Sequence, residues 1–170
     1  VVGIMGLGYP EQTPCRVRKC CAETIEPEFP AEPPPEMIIE FCTPTRLTGG
    51  DTRLWGDGIP FSILLARGLD RLRDLAIHYG EGWPLTVESD IALKEASREI
   101  ISTRIAGGYT ETRRRSGRTR QEISMSGFIG RMHYHGKLAP FCDILAFLPW
   151  IHVGRGTVYG CGRIEYLFPE

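Results

Sequence analysis

No apolar run in this chain approaches the ~18–20 residues that a membrane-spanning helix needs, which excludes such a helix within its 170 residues. Charge of one sign is not in excess: the formal net charge is −1. The chain as a whole is therefore no basic nucleic-acid binder, and any such role must come from local charge. The six cysteines include no Cys-x-x-Cys pair, and no signal peptide stands ahead of them. A zinc site wants paired ligands at short spacing. Cys15, Cys20 and Cys21 are the nearest approach, and reduced thiols in a cytoplasmic protein are the better reading. No metal and no cofactor are expected. An initiator methionine is also lacking. The opening Val1-Val2-Gly3 suggests a shortened or processed chain and leaves room for a domain upstream.

What is present is ordinary for a globular domain: 42% hydrophobic and 24% charged residues. A chain this long buries a real core without staples. Residues 1–35 read as an N-terminal remnant and a proline-rich linker. Gly6 and Gly8 form a lone Gly-x-Gly, weak evidence for a nucleotide without a strand before it and a helix after it. The run PEFPAEPPP at 27–35 fixes φ repeatedly and removes backbone donors, so it breaks any helix.

Residues 36–170 read as one folded unit. Met37–Phe41 is apolar and β-branched, and predicts a strand that ends in a Thr-Pro turn at 43–47 and then Gly49-Gly50-Asp51. Pro60 opens a helix. Its apolar stripe is Phe61, Leu65, Leu69, Leu72, Ala76 and Tyr79, and Gly80 and Gly82 stop it. Residues 89–98 predict a short helix capped by Ser89 or Asp90. Residues 99–112 predict a strand with a bulge or bend at Gly107-Gly108. Residues 123–134 predict the return strand. Leu138–Trp150 predicts a second amphipathic helix with Phe141, Ile144, Leu145 and Leu148 on one face, closed by Pro149. A glycine-rich loop at 152–162 leads into a last strand at 163–168. The order strand, helix, strand, strand, helix, strand is that of an α+β, ferredoxin-like (βαββαβ) domain: an antiparallel sheet with helices on one face. The hairpin of its second and third strands carries a dense arginine cluster at its tip.

The run Gly127-Phe128-Ile129-Gly130, followed by a helix and then HVGRGTVYGCGRIEY at 152–166, resembles the glycine-rich C-terminal signature of the RAMP superfamily. More narrowly, it is similar to the C-terminal domain of the endoribonuclease that cuts precursor CRISPR RNA. The segment from Ile39 to Leu47, with its Thr-Pro turn, resembles the strand that opens that domain. Arg115–Gln121 resembles the basic segment before its Gly-x-x-Gly strand. The resemblance covers residues 36–168. It implies binding of CRISPR RNA and metal-independent cleavage, in which a 2′-hydroxyl attacks the adjacent phosphate and leaves a 2′,3′-cyclic phosphate. That chemistry needs a base for the hydroxyl proton and a cation for the developing charge. Many members are tandem ferredoxin-like domains with the catalytic histidine or tyrosine in the first. No catalytic residue is therefore carried over onto this chain.

Candidate site residues follow from charge and backbone chemistry. Arg113, Arg114, Arg115, Arg118 and Arg120 repel one another unless a polyanion or solvent screens them, and phosphate is their natural partner. The bland alternative is a solvated hairpin tip. Gly154, Gly156, Gly160 and Gly162 let backbone N–H groups approach a phosphate, with Arg155 among them as a charge, or simply make a tight return from helix to strand. His133 and His135 share a strand face, and a third metal ligand is not visible. His152, beside the loop, is a weak candidate for a local catalytic base. Of the aromatics Tyr109, Phe128, Tyr134 and Tyr159, half or more serve the core or a domain interface, and Tyr159 is the one to test for base stacking. Two other functions stay open. One is a non-catalytic RAMP subunit that binds CRISPR RNA beside other CRISPR-associated proteins. The other is a ferredoxin-like module that binds a small ligand or oligomerises without RNA, for which the arginine hairpin has no evident use.

Overall fold

A computed structural model describes residues 29–30, 33–47, 58–115, 117 and 122–167. The readings made for residues 1–28, for the turn at 49–51, and for Arg118 and Arg120 lie outside the described residues.

Strand β1 (Glu36–Thr45) alternates buried and half-exposed positions, and Met37, Ile39 and Phe41 face the core. It runs through Thr43-Pro44 instead of turning there. The register against its neighbour slips between Phe41 and Thr45, and that irregularity is what a proline inside a strand demands. Helix α1 (Phe61–Tyr79) starts one residue after Pro60. The Phe61 N–H, which no residue within the helix can satisfy, donates to Ser102 Oγ at 3.0 Å. Phe61, Leu64, Leu65 and Leu69 are buried, whereas Tyr79, expected on the stripe, is exposed in the last turn. The N–H groups of Gly80 and Gly82 close that turn on the Ala76 carbonyl. Helix α2 (Val87–Ala96) is capped by Thr86, whose hydroxyl accepts from the Ser89 N–H. The cap thus lies three residues before the expected Ser89. Charge joins α2 to α1: Asp90 takes Arg73 at 3.4 Å and Lys94 at 2.9 Å.

The return half of the molecule departs from expectation at one place. Strand β2 (Ile101–Thr110) is followed by β3 (Arg113–Arg115), and the segment read as one strand at 123–134 divides into β4 (Glu122–Ser124) and β5 (Gly127–His135). The division falls at Met125-Ser126, where the Met125 N–H bonds to the Thr112 carbonyl and Ser126 Oγ accepts from the Thr112 N–H. The bulge in β2 falls between Arg104 and Ala106, just before the glycine pair. A short 3-10 turn leads into helix α3 (Cys142–Ile151), and β6 (Ile164–Leu167) ends the described chain.

The main sheet has the order β2-β5-β1-β6, and every pairing is antiparallel. This is the ferredoxin-like arrangement, with β3 and β4 as a two-stranded arm extending the β2–β5 hairpin. The buried stripes of α1 and α3 share one cluster with the inward residues of β1 and β5, so the two helices cover a single face. Phe61 stacks edge-on against both Tyr134 and Phe141, with centroids 5.4 and 5.1 Å apart. The buried Tyr134 hydroxyl donates to the Ile59 carbonyl at 2.8 Å. The opposite face is polar, with Arg131 on Glu40 and His133 on Glu36, both at 3.1 Å. No described helix is long and apolar enough to cross a membrane.

Candidate nucleic-acid interface

The arm places the arginines. In β3 the register is Arg113 opposite Ser124, Arg114 opposite Ile123 and Arg115 opposite Glu122. All three arginines are exposed. Alternation along a strand sends Arg113 and Arg115 to one side of the arm and Arg114 to the other. On its side, Arg114 holds its guanidinium 5.5 Å from the centre of the Tyr159 ring, a cation–π contact that joins the arm to the glycine-rich loop. Sequence reasoning named Arg114 and Tyr159 separately, and the fold brings them together.

The loop itself is sewn to the end of β1. The Arg155 N–H donates to the Arg46 carbonyl at 2.9 Å, and the Gly162 N–H to the Pro44 carbonyl at 3.2 Å. The Val153 N–H closes the loop on the Gly162 carbonyl at 2.9 Å, and the Arg163 N–H reaches Thr43 Oγ1 at 2.9 Å. These bonds require close backbone approach. A Cβ on Gly162 would stand 2.1 Å from the Val153 carbonyl oxygen, and one on Gly154 would stand 2.6 Å from that of Arg46. Thus the glycines first make a tight return from helix to strand, and the loop's outer turn, with Arg155 and Tyr159, stays exposed. Gly156 and Gly160 bracket that outer turn, a single 3-10 turn at Thr157–Tyr159. Cys161 is buried beneath it, and burial pushes its thiol up from the ordinary range.

His152 ends α3 with φ 57 and ψ 150, and is the one positive-φ residue other than glycine among the described residues. Its Nδ1 lies 3.1 Å from the Cys161 carbonyl oxygen. A carbonyl only accepts, so the proton of that bond sits on Nδ1, and neutral His152 presents an unprotonated Nε2. His133 and His135 lie apart from this region on the open sheet face, and His133 pairs with Glu36. Phe128 and Tyr134 are fully buried in the core, whereas Tyr109 and Tyr159 keep 46% and 45% of their surface open to solvent. Stacking on bases is therefore open only to the latter two.

The other side of the arm lines a polar cleft of about 380 Å³. Tyr109 of β2, Glu111 of the link and Arg113 of β3 follow at steps of two along the outgoing chain. Ser126, Ser124 and Glu122 answer along the returning chain, and Arg46 closes the end. Arg113 pairs with Glu122 at 3.2 Å across the arm. Arg46 and Glu111 were not singled out from the sequence. The step of two from Tyr109 to Arg113 was the signal that Glu111 shares their face; Arg46 arrives from just past the end of β1 and had none.

A family model for the CRISPR-associated endoribonuclease Cas6 matches residues 39–164. Among solved structures, a Cas6 product complex superposes with a TM-score of 0.55 at 18% identity, covering 81% of this chain and 54% of that one. Cas6 of Thermus thermophilus gives a TM-score of 0.55 at 18% identity, covering 81% of this chain and 55% of that one. The chain thus spans about half the length of these structures, and at this identity the likeness is one of fold. No match is found among curated proteins.

Proposed function

The chain belongs to the CRISPR-associated endoribonuclease Cas6 family, and on that premise we propose that residues 36–170 form its C-terminal, RNA-gripping domain. In this reading the domain binds precursor CRISPR RNA at the repeat and holds it for metal-independent cleavage. One observation carries the proposal: the exposed arginines of β3 stand beside the glycine-rich loop, linked to it through Arg114 and Tyr159. Arginines gathered on a projecting two-stranded arm suit a phosphate backbone, which guanidinium meets bidentately. Arg155 on the loop adds a cation to the same side. Arg118 and Arg120 belong to the same basic run in sequence and are proposed as further phosphate contacts. Other CRISPR-associated proteins are candidate partners of the assembled enzyme. The half-buried and buried thiols Cys42, Cys142 and Cys161, all pushed up chiefly by burial, suit a reducing, cytoplasmic setting.

The test is binding of a labelled CRISPR repeat hairpin at two salt concentrations, with the same mixtures run on a denaturing gel. The expected result is binding that weakens steeply with salt and drops when Arg113, Arg115 and Arg118 become alanine. Absence of binding at both salts would overturn the RNA reading and favour an interaction module. Cleavage without added metal would place the reacting groups within these 170 residues. His152 is then the base to substitute first, because its Nδ1 contact leaves Nε2 to take a 2′-hydroxyl proton.

A further inference from the structure

The cleft on the Arg113 side of the arm differs in kind from the side where Arg114 meets Tyr159. Its charged lining residues cancel: Arg46 and Arg113 against Glu111 and Glu122. A phosphate gains little from a cleft with no net charge, and two carboxylates on its walls repel it. A nucleobase is different. It is neutral, planar and edged with donors and acceptors, and a cleft of about 380 Å³, roughly the space of a dozen waters, accommodates it. Tyr109, nearly half exposed, supplies an aromatic wall for stacking.

The carboxylates say which base. An ionised carboxylate only accepts, so it selects for donors. Glu122 is already paired with Arg113. Glu111 lines the cleft, is exposed, and has no hydrogen-bond or ion-pair partner among the described residues. Guanine alone among the four bases sets two donors side by side, N1–H and the 2-amino group, which match the two oxygens of one carboxylate. Its opposite edge, O6 and N7, accepts from an arginine. We infer that this cleft takes one unpaired guanine of the bound RNA, stacked on Tyr109 and read by Glu111, with Arg46 or Arg113 on its acceptor edge. The inference rests on the RNA reading above and deepens it: the exposed arginines of the arm would grip backbone while the cleft beside Arg113 reads a base.

The experiment uses the full chain and oligouridine probes of about ten nucleotides, a length that a single RNA-binding surface spans. Each carries one central guanosine, inosine, adenosine or cytidine. Inosine lacks only the 2-amino group. The guanosine probe is expected to bind about tenfold more tightly than the other three, in line with the discrimination that a bidentate contact provides. Glu111→Gln should bring the four probes to near parity. Tyr109→Ala should weaken all of them. Equal affinities for the four probes, with steep salt dependence retained, would overturn the guanine site and leave the RNA surface standing. So would a guanosine preference that survives Glu111→Gln. If neither these probes nor the repeat hairpin binds at low salt, the RNA reading itself fails.

Discussion

His152 occupies a backbone region that glycine nearly alone populates, with φ 57 and ψ 150, and it sits where α3 hands over to the glycine-rich loop. Such a conformation costs a residue with a Cβ of order 1–3 kcal/mol, and it persists because the surroundings impose it. Here the imposing contacts are the Nδ1 bond to Cys161 and the Val153–Gly162 backbone bond on the next residue. The strain separates from the side-chain bond by comparing two variants. His152→Ala and His152→Gly both lose the imidazole, but only glycine relaxes the backbone. The glycine variant should be more stable than the alanine variant by about 1 kcal/mol in urea denaturation, the low end of that range. An alanine variant of equal or greater stability would mean that no strain is held there. Much of this region was legible one residue at a time. Five arginines between positions 113 and 120 and four glycines between 154 and 162 declare themselves by local density. The cleft was not legible, because Arg46, Tyr109, Glu111 and Ser126 come from three separate stretches that only the sheet brings together.

Elements end where hydrogen bonds can no longer be met, and α3 shows how far that rule can be bent. Pro149 was expected to close the helix, yet α3 continues to Ile151. A proline at this position lacks the N–H that would bond to the carbonyl four residues earlier, which is Leu145. That carbonyl accepts instead from the Tyr166 hydroxyl of β6 at 2.5 Å. A side chain from the neighbouring strand thus replaces the missing backbone donor. Tyr166→Phe should therefore cost about 1–3 kcal/mol, the penalty for an unsatisfied buried carbonyl. In a Pro149→Ala background the restored N–H can serve Leu145, so the same tyrosine substitution should cost clearly less. A double-mutant cycle by denaturant unfolding measures the difference, and additive costs would sink the explanation. Sequence periodicity could not foresee this, since the rescuing hydroxyl lies on another element. The split between β4 and β5 was hidden for a related reason. The apolar residues from Ile123 to Tyr134 continue through the break at Met125-Ser126, and only the bonds to Thr112 mark where the arm leaves the sheet.

At the scale of the whole molecule, a net charge of −1 gives no long-range pull toward a polyanion, so the proposed affinity for RNA would have to be built from a few local contacts. The order of sheet strands followed from the βαββαβ reading because antiparallel neighbours and two helices on one face leave few other ways to pack that pattern. The consequence that composition alone does not supply is spatial. The positive charge of β3 is carried away from the sheet, whose open face mixes Arg131, Glu40, His133 and Glu36, onto an arm whose three described arginines are exposed. Counterion release makes this separation measurable. Each phosphate contact contributes about 0.7–0.9 to the slope of log affinity against log salt. Replacing both Arg114 and Arg115 with alanine should lower that slope by roughly 1.5 for the repeat hairpin, two contacts on the same scale. The loss should be the same whichever base stands at the unpaired position, because phosphate contacts carry no sequence information. A loss of affinity with the slope unchanged would mean that the arm acts by bracing Tyr159 and the loop through Arg114, with the phosphates held elsewhere. A slope that falls as expected would place the backbone of the RNA along the arm, at the boundary between the arginine surface and the neutral cleft.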